Sequence, residues 1–336
     1  MNDRLALTLV TGFLGSGKTT LIRRFVETDR GADTGIIVNE FGEAGVDHTL
    51  FVHAVEQIEL VDGGCLCCAR RADVAQAMYR LVQAARGGRR FSRAILETSG
   101  LADPAPIIAT LANDPWLRSN VRLASVVTVV DAVAGLRNLE TQPEARRQVS
   151  IADTVVVTKR DMRDARSFEE IAKAVSAIAP DLRVIDAQET DFDAEAVLGG
   201  HGSPDTPSRS RFQALEAVSH RDELTSFTLE FTERIDWPAF TVWLSSLLHA
   251  HGDRILRVKG LLNTTSAHTR LAIHGVQHVM HPPTHLPLDP EDSRSFLVFI
   301  TRGVEYSAVE QSLRRMLVWA ERFRKPSLRT SLPPAA

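Results

Sequence analysis

Two short stretches carry the residues best able to do chemistry. Gly12-Phe13-Leu14-Gly15-Ser16-Gly17-Lys18-Thr19 fits G-x-x-x-x-G-K-[ST], a spacing that turns successive backbone N–H groups inward around a β-phosphate. Lys18 would neutralise the β- and γ-phosphates, the Thr19 hydroxyl would ligate Mg²⁺, and a helix opening through Thr20 would add its positive end. The second stretch is Asp62-Gly63-Gly64-Cys65-Leu66-Cys67-Cys68, which holds all three cysteines of the chain. Thiolates favour soft or borderline cations such as Zn²⁺ or Cu(I), and two or three sulfurs leave a tetrahedral site open, as suits a transferable ion. The competing reading is a redox pair or small buried residues. The lack of any distant cysteine argues against a structural disulfide and favours metal binding.

Three further segments fit around these. Ile95-Leu96-Glu97-Thr98-Ser99-Gly100 ends an apolar run with a carboxylate followed three residues later by glycine. Glu97 there could hold Mg²⁺ through water, and the Gly100 amide could sense a γ-phosphate. Taken singly, Glu97 would read as a strand-end surface acid. Thr158-Lys159-Arg160-Asp161 matches the base-selecting [N/T]-K-x-D of G proteins, with threonine in place of the commoner asparagine. Asp161 could accept from N1–H and the N2 amino group of guanine, donors that adenine lacks, while the Lys159 stem lies over the base. Asn39-Glu40-Phe41-Gly42-Glu43 follows the second expected strand, where switch loops lie; Glu40 and Glu43 could supply metal ligands or act as solvated loop acids.

These segments need a scaffold, and the first two hundred residues alternate apolar strand patterns with helical ones. Strands are expected at 5–10, 35–38, 93–96, 124–130 and 154–157, and helices at 19–28 and 73–85, with another ending at 146–151. Gly199 to Arg211 holds three glycines, two prolines and three serines with no apolar run, and reads as a linker. Beyond it come expected strands at 226–232, 254–262, 270–278 and 295–300, a helix from Trp237 capped by Asp236, and a helix over 307–322. The fold class is α/β: a P-loop G domain with a mostly parallel sheet flanked by helices, plus a smaller α+β C-terminal domain. The expected division is 1–198 for the nucleotide domain, 199–222 linker, 223–325 second domain and 326–336 tail.

Composition restricts the function classes. With 336 residues, 44% hydrophobic and 24% charged, the chain can bury ample core. A net charge of -3 offers no broad basic field for nucleic acid or anionic membrane. No apolar run reaches bilayer length and the first apolar stretch runs straight into the glycine-rich loop, so a cytoplasmic location is expected.

Together these residues resemble one family, the CobW-like GTPases. The resemblance rests on the stretch 12–20, on Asn39 to Glu43, Gly64 to Cys68, Glu97 to Pro104 and Val129-Val130-Asp131. It extends to Arg257-Val258-Lys259-Gly260 and Gly275-Val276-Gln277-His278 in the second half. It implies a metallochaperone GTPase that binds GTP or GDP, hydrolyses slowly, holds Zn²⁺ or Co²⁺ at the cysteine motif, and delivers the ion to a client metalloprotein. Members of this branch often pair, so a homodimer is among the expected partners. The alternative is a GTP-dependent activator chaperone of a specific metalloenzyme, with incidental metal binding. Many members carry a histidine-rich linker; here it holds only His201. The dispersed His268, His274, His278, His281 and His285 read better as packed or surface groups than as ligands.

Overall fold

The computed structural model describes residues 4–28, 31, 33–38, 58–60, 69–86, 93–164, 166–180, 182–199, 218–219, 224–265, 269–287 and 294–324. Cys65, Cys67, Cys68, Glu40, Glu43 and His268 lie outside them. No helix among the described residues is long and apolar enough to cross a membrane.

The first domain is built on strands β1 (Leu5–Thr11), β2 (Thr34–Val38), β3 (Ile58–Leu60), β4 (Arg93–Glu97), β5 (Val121–Asp131), β6 (Thr154–Thr158) and β7 (Arg183–Asp186). They form one sheet in the order β3-β2-β4-β1-β5-β6-β7, and every pair is parallel. Helices α1 (Lys18–Val26), α2 (Ala69–Arg86), α3 (Ala105–Asn113), α4 (Pro115–Asn120), α5 (Gly135–Thr141), α6 (Pro143–Ser150), α7 (Arg166–Ile178) and α8 (Ala194–Leu198) are its crossovers and flanks. Alternation along a strand divides the side chains between two layers. Leu7 and Leu9 pack with Met78 and Leu81 of α2, whereas Val10 packs with Ile22 and Phe25 of α1. The chain moves to one side of β1 for β2–β4 and to the other for β5–β7. The end of β1 is therefore a point where strand order reverses, and there such sheets open a crevice for ligands.

The second domain comprises β8 (Val218–Ser219), β9 (Leu224–Phe231), α9 (Trp237–His251), β10 (Ile255–Asn263), β11 (Arg270–Val276), β12 (Val279–Met280), β13 (Thr284–Leu286), β14 (Ser295–Arg302) and α10 (Tyr306–Arg324). Its antiparallel sheet runs β12-β11-β10-β14-β9-β8, with β13 on β11. Asp236 caps α9 by accepting from the Ala239 amide at 3.1 Å. Phe240, Trp243 and Leu244 of α9 join Leu313 and Met316 of α10 over Phe227, Val258, Leu297 and Phe299, so both helices cover one sheet face.

The opposite face meets the first domain. Leu224, Leu256, Val276 and Ile300 enter the first domain's apolar cluster. Among them lies a polar group: Arg257, Lys259 and His274 are buried beside Asp153, which directly precedes β6. His274 Nε2 stands 2.8 Å from Asp153 Oδ1 and Arg257 Nη2 3.6 Å from it. Arg257 also donates to the Ala152 carbonyl, and Asp153 Oδ2 accepts from the Val126 amide at 2.8 Å. Burial alone would raise the Asp153 carboxyl, but His274, Arg257 and Lys259 reverse this and hold it well below the usual carboxylate range. His281 stacks on His274 with centroids 4.5 Å apart. Burial lowers His274 despite the carboxylate, and burial together with His274 pushes His281 down to about 3.

These shifts fix the direction of a pH dependence. A histidine with a depressed native value binds fewer protons folded than unfolded below about pH 6.5, so stability falls on acidification. The Asp153 carboxylate adds nothing to this window, because its contribution is lost only below the unfolded value near 4. Lowering the pH from 7 to 5 should cost roughly 1–2 kcal/mol through His281, allowing for its partial solvent access. Denaturant titrations at both pH values will show whether His281→Asn flattens the loss; parallel wild-type and variant losses would refute it.

Candidate functional site

The phosphate loop closes the gap between β1 and α1. Gly12 has φ of 142°, and a Cβ there would lie 2.2 Å from the Val129 carbonyl oxygen, so only glycine fits. Gly15 and Gly17 also have positive φ. Gly17 immediately precedes α1, the helix opened by Lys18. Lys18 is buried, and its Nζ donates to the carbonyls of Gly12 at 2.9 Å and Phe13 at 3.3 Å. Ser16 is buried, while Thr20 is exposed in the first turn.

Glu97 reaches this loop from the next strand. Register pairs Val10 with Glu97, and the Thr19 hydroxyl donates to Glu97 Oε1 at 2.7 Å. Thr98 continues the join, its hydroxyl donating to Thr11 Oγ1 at 2.8 Å and its amide to the Val10 carbonyl at 2.9 Å. Glu97 is almost fully buried, in contrast to the surface-acid reading. Asp131, at the end of β5, accepts from the amides of Val133 and Ala134, ordering the turn into α5.

Gly100 lies against the phosphate loop: a Cβ there would come 2.6 Å from the Leu14 nitrogen. Gln148, fully buried on α6, fixes this turn by donating to the carbonyls of Gly100 and Ala102, each at 3.1 Å. Gly100→Ala should therefore displace the Leu14 backbone and weaken nucleotide binding on the order of tenfold or more, as misplacement by an ångström does. Calorimetric titration with GDP measures this; unaltered affinity would show that the contact does not shape the loop.

The base-selecting segment is tied to the same loop. Thr158 Oγ1 donates to the Ser16 carbonyl at 2.6 Å, and Lys159 Nζ to the Gly15 carbonyl at 2.6 Å. Lys159 takes a left-handed conformation, φ 57°, before the 3-10 turn Arg160–Met162. Asp161 is exposed within that turn, and its partner is a residue that sequence reasoning missed. Gln188 donates from Nε2 to Asp161 Oδ1 and accepts from the Asp161 amide at 2.7 Å. Gln188 is held in turn by Asp186 at the end of β7, which accepts from the Gln188 amide at 2.9 Å and pairs with Arg160. A short apolar strand at 183–186 followed by a polar turn was the signal available for it.

The structure thus brings Gly12, Gly15, Ser16, Gly17, Lys18 and Thr19 together with Glu97, Gly100, Thr158 and Lys159, with Asp161 on the same β6–α7 connection. His278 and His285 of the second domain are engaged elsewhere. His278 contacts the Leu248 carbonyl at 2.9 Å and Asp253 at 3.2 Å, and His285 contacts Thr269 at 2.7 Å. Among the described residues no cluster of three histidine, cysteine or carboxylate side chains is disposed to hold a metal ion.

An all-parallel sheet with this loop at its strand-order reversal defines a P-loop nucleotide-binding protein. Residues 6–186 match the family described as CobW/HypB/UreG, nucleotide-binding domain, and residues 224–317 match the cobalamin synthesis protein cobW C-terminal domain. The chain belongs to this CobW family. It is 31% identical over 302 residues to the zinc chaperone YjiA of Escherichia coli (strain K12), covering 88% of this chain and 93% of that protein. It is 31% identical over 308 residues to the zinc chaperone CobW of a Sinorhizobium species, covering 81% and 85%. The crystal structure of Zn(II)-bound YjiA GTPase from E. coli superposes with a TM-score of 0.65 at 25% identity, covering 94% of this chain and 99% of that one.

Proposed function

We propose that this protein binds GTP, hydrolyses it slowly, and carries Zn²⁺ on Cys65, Cys67 and Cys68 to a client metalloprotein. The observation that carries the reading is a shared register at the C-terminal ends of neighbouring strands. Val10 pairs with Glu97, Val38 with Glu97, and Val38 with Leu60. Strands β1, β2, β3 and β4 therefore finish at the same end of the sheet. Next after them in the sequence come the phosphate loop, the stretch with Glu40 and Glu43, the cysteine stretch, and the turn to Gly100. Strands spaced about 4.8 Å apart separate Leu60 from Glu97 by only roughly 10 Å. The likeness to two proteins named zinc chaperones supports the choice of ion.

On this reading Lys18 and the amides of Gly15 to Thr19 hold the phosphates, and Asp161 with Lys159 holds guanine. The Thr19 hydroxyl and Glu97 carboxylate, hard oxygen donors 2.7 Å apart, suit Mg²⁺. Thr19 would bind it directly and Glu97 through water; when bound, it neutralises charge on the β- and γ-phosphates. Gly100 senses the third phosphate through the turn that Gln148 fixes. The Glu40–Glu43 stretch passes that state to the thiolates, so nucleotide and metal affinities change reciprocally. With no arginine assigned to the transferring phosphoryl group, partner-free turnover should be on the order of 10⁻³ s⁻¹.

The test is a Zn²⁺ titration of the reduced protein with GDP and with a non-hydrolysable GTP analogue, beside a variant with all three cysteines changed to serine. Zinc affinity should differ at least fivefold between nucleotides, the lower end of ordinary coupling, and should vanish in the variant. Equal affinities would remove the coupling, and zinc binding unaltered by the serines would remove the site.

A further inference from the structure

We propose that the cavity between the two domains is a second anion site, built for a small phosphate-bearing molecule and separate from the nucleotide pocket. The cavity measures about 490 Å³ and opens where the start of the parallel sheet meets the second domain. The first domain contributes Arg4, Arg118 of α4 and Arg122 of β5; the second contributes His249, His278 and His281. Among the described residues no aspartate or glutamate lines it. The volume lies within the usual range for small-ligand pockets, roughly 300–1000 Å³.

The three guanidiniums are the informative feature. Among the described residues, Arg4 reaches the Arg118 carbonyl at 3.5 Å, and no carboxylate stands within ion-pair distance of any of the three. Arg122 is partly buried, and burial together with the adjacent Arg4 lowers its pKa. A protein that holds like charges together in a partly dry cleft, without counter-ions of its own, leaves a strong field for an anion. The guanidinium fork matches phosphate oxygens in pairs, which a point charge does not. His281 adds a polar atom: its Nε2 is enclosed with no hydrogen-bond partner. Two acids face this group from outside the lining: Asp253, 3.2 Å from His278, and Asp153, which holds His274 beneath the stacked His281 and acts on His281 through its charge.

Position separates this site from the phosphate loop. Arg122 pairs with Ala6 at the beginning of β1, whereas the phosphate loop follows Thr11 at the other end. The length of the strand puts roughly 20 Å between them. Because each domain supplies half of the lining, an anion held there would fasten the two together.

The test uses the full chain loaded with GDP without magnesium, so that the phosphate loop is filled. Pyrophosphate, inorganic phosphate and citrate are titrated in turn at constant ionic strength. Pyrophosphate should bind one-to-one, at least tenfold tighter than citrate, and either Arg118→Gln or Arg122→Gln should weaken it tenfold or more while GDP affinity stays unchanged. Arg118 is exposed, so its variant serves if Arg122→Gln disturbs folding. Absence of saturable pyrophosphate binding, equal binding by Arg118→Gln, or citrate binding as tightly would each overturn the proposal.

Discussion

Asp161→Asn should weaken GTP binding about a hundredfold or more and make XTP the better ligand. The carboxylate can accept two hydrogen bonds from guanine, whereas asparagine keeps one uncharged acceptor for N1–H and sets a donor against the C2 amino group. Losing one charge-assisted bond, weakening the other and leaving two donors opposed costs about 3 kcal/mol. An asparagine amide offers a donor where the carboxylate had an acceptor. That donor suits the C2 carbonyl of xanthine and opposes the C2 amino group of guanine. Gln188 sharpens the expectation, because its amide already donates to Asp161 Oδ1 and fixes the carboxylate's orientation. Gln188→Ala should then produce a smaller loss of the same kind, about tenfold, without the swing to XTP. Competition binding with GTP, XTP and ATP separates the cases. If GTP affinity stays within threefold in Asp161→Asn, guanine selection does not reside here, although the phosphate loop would stand.

Asp153→Ala should be the most destabilising single change at the domain contact, costing about 3–5 kcal/mol, the range for removing one partner from a buried ionic group. The substitution strips the acceptor from the Val126 amide and leaves Arg257 and His274 beside a void. Asp153→Asn keeps an acceptor for Val126 but no charge for Arg257, and should lose roughly half as much. Equilibrium denaturation checks both, and GDP affinity should hold in folded protein because Asp153 lies at the opposite end of the strands from the phosphate loop. A loss below about 1 kcal/mol would place the weight of the contact on the surrounding apolar residues, as for an ordinary surface pair.

What could be read in advance was what is local in the chain. The phosphate loop, β1 and the start of α1 occupy consecutive residues whose glycine spacing reports their backbone. Glu97 was readable because an apolar run ends on a carboxylate, and α9 because Asp236 and Pro238 mark its first turn. The shorter and more uniformly apolar elements escaped. Periodicity is weak in Ala105–Asn113, where polar positions are few, and Pro115–Asn120 spans six residues. The last strand, Arg183–Asp186, is four residues at a sheet edge, and with it went Gln188, which meets Asp161 from 27 positions away. Nor does any local pattern announce that His274 and Arg257 will find Asp153, since burial and charge there are properties of two surfaces meeting.

The two bonds from Thr158 and Lys159 to the backbone of Ser16 and Gly15 have a kinetic consequence. They join the base-reading turn to the phosphate cradle within the protein itself, so a nucleoside diphosphate in the pocket would be held at both ends together. Once a partner quickens cleavage, emptying the pocket would then set how often the cycle repeats. A helper that loosened Thr158 from Ser16 would act as an exchange factor, quickening the protein without touching its chemistry.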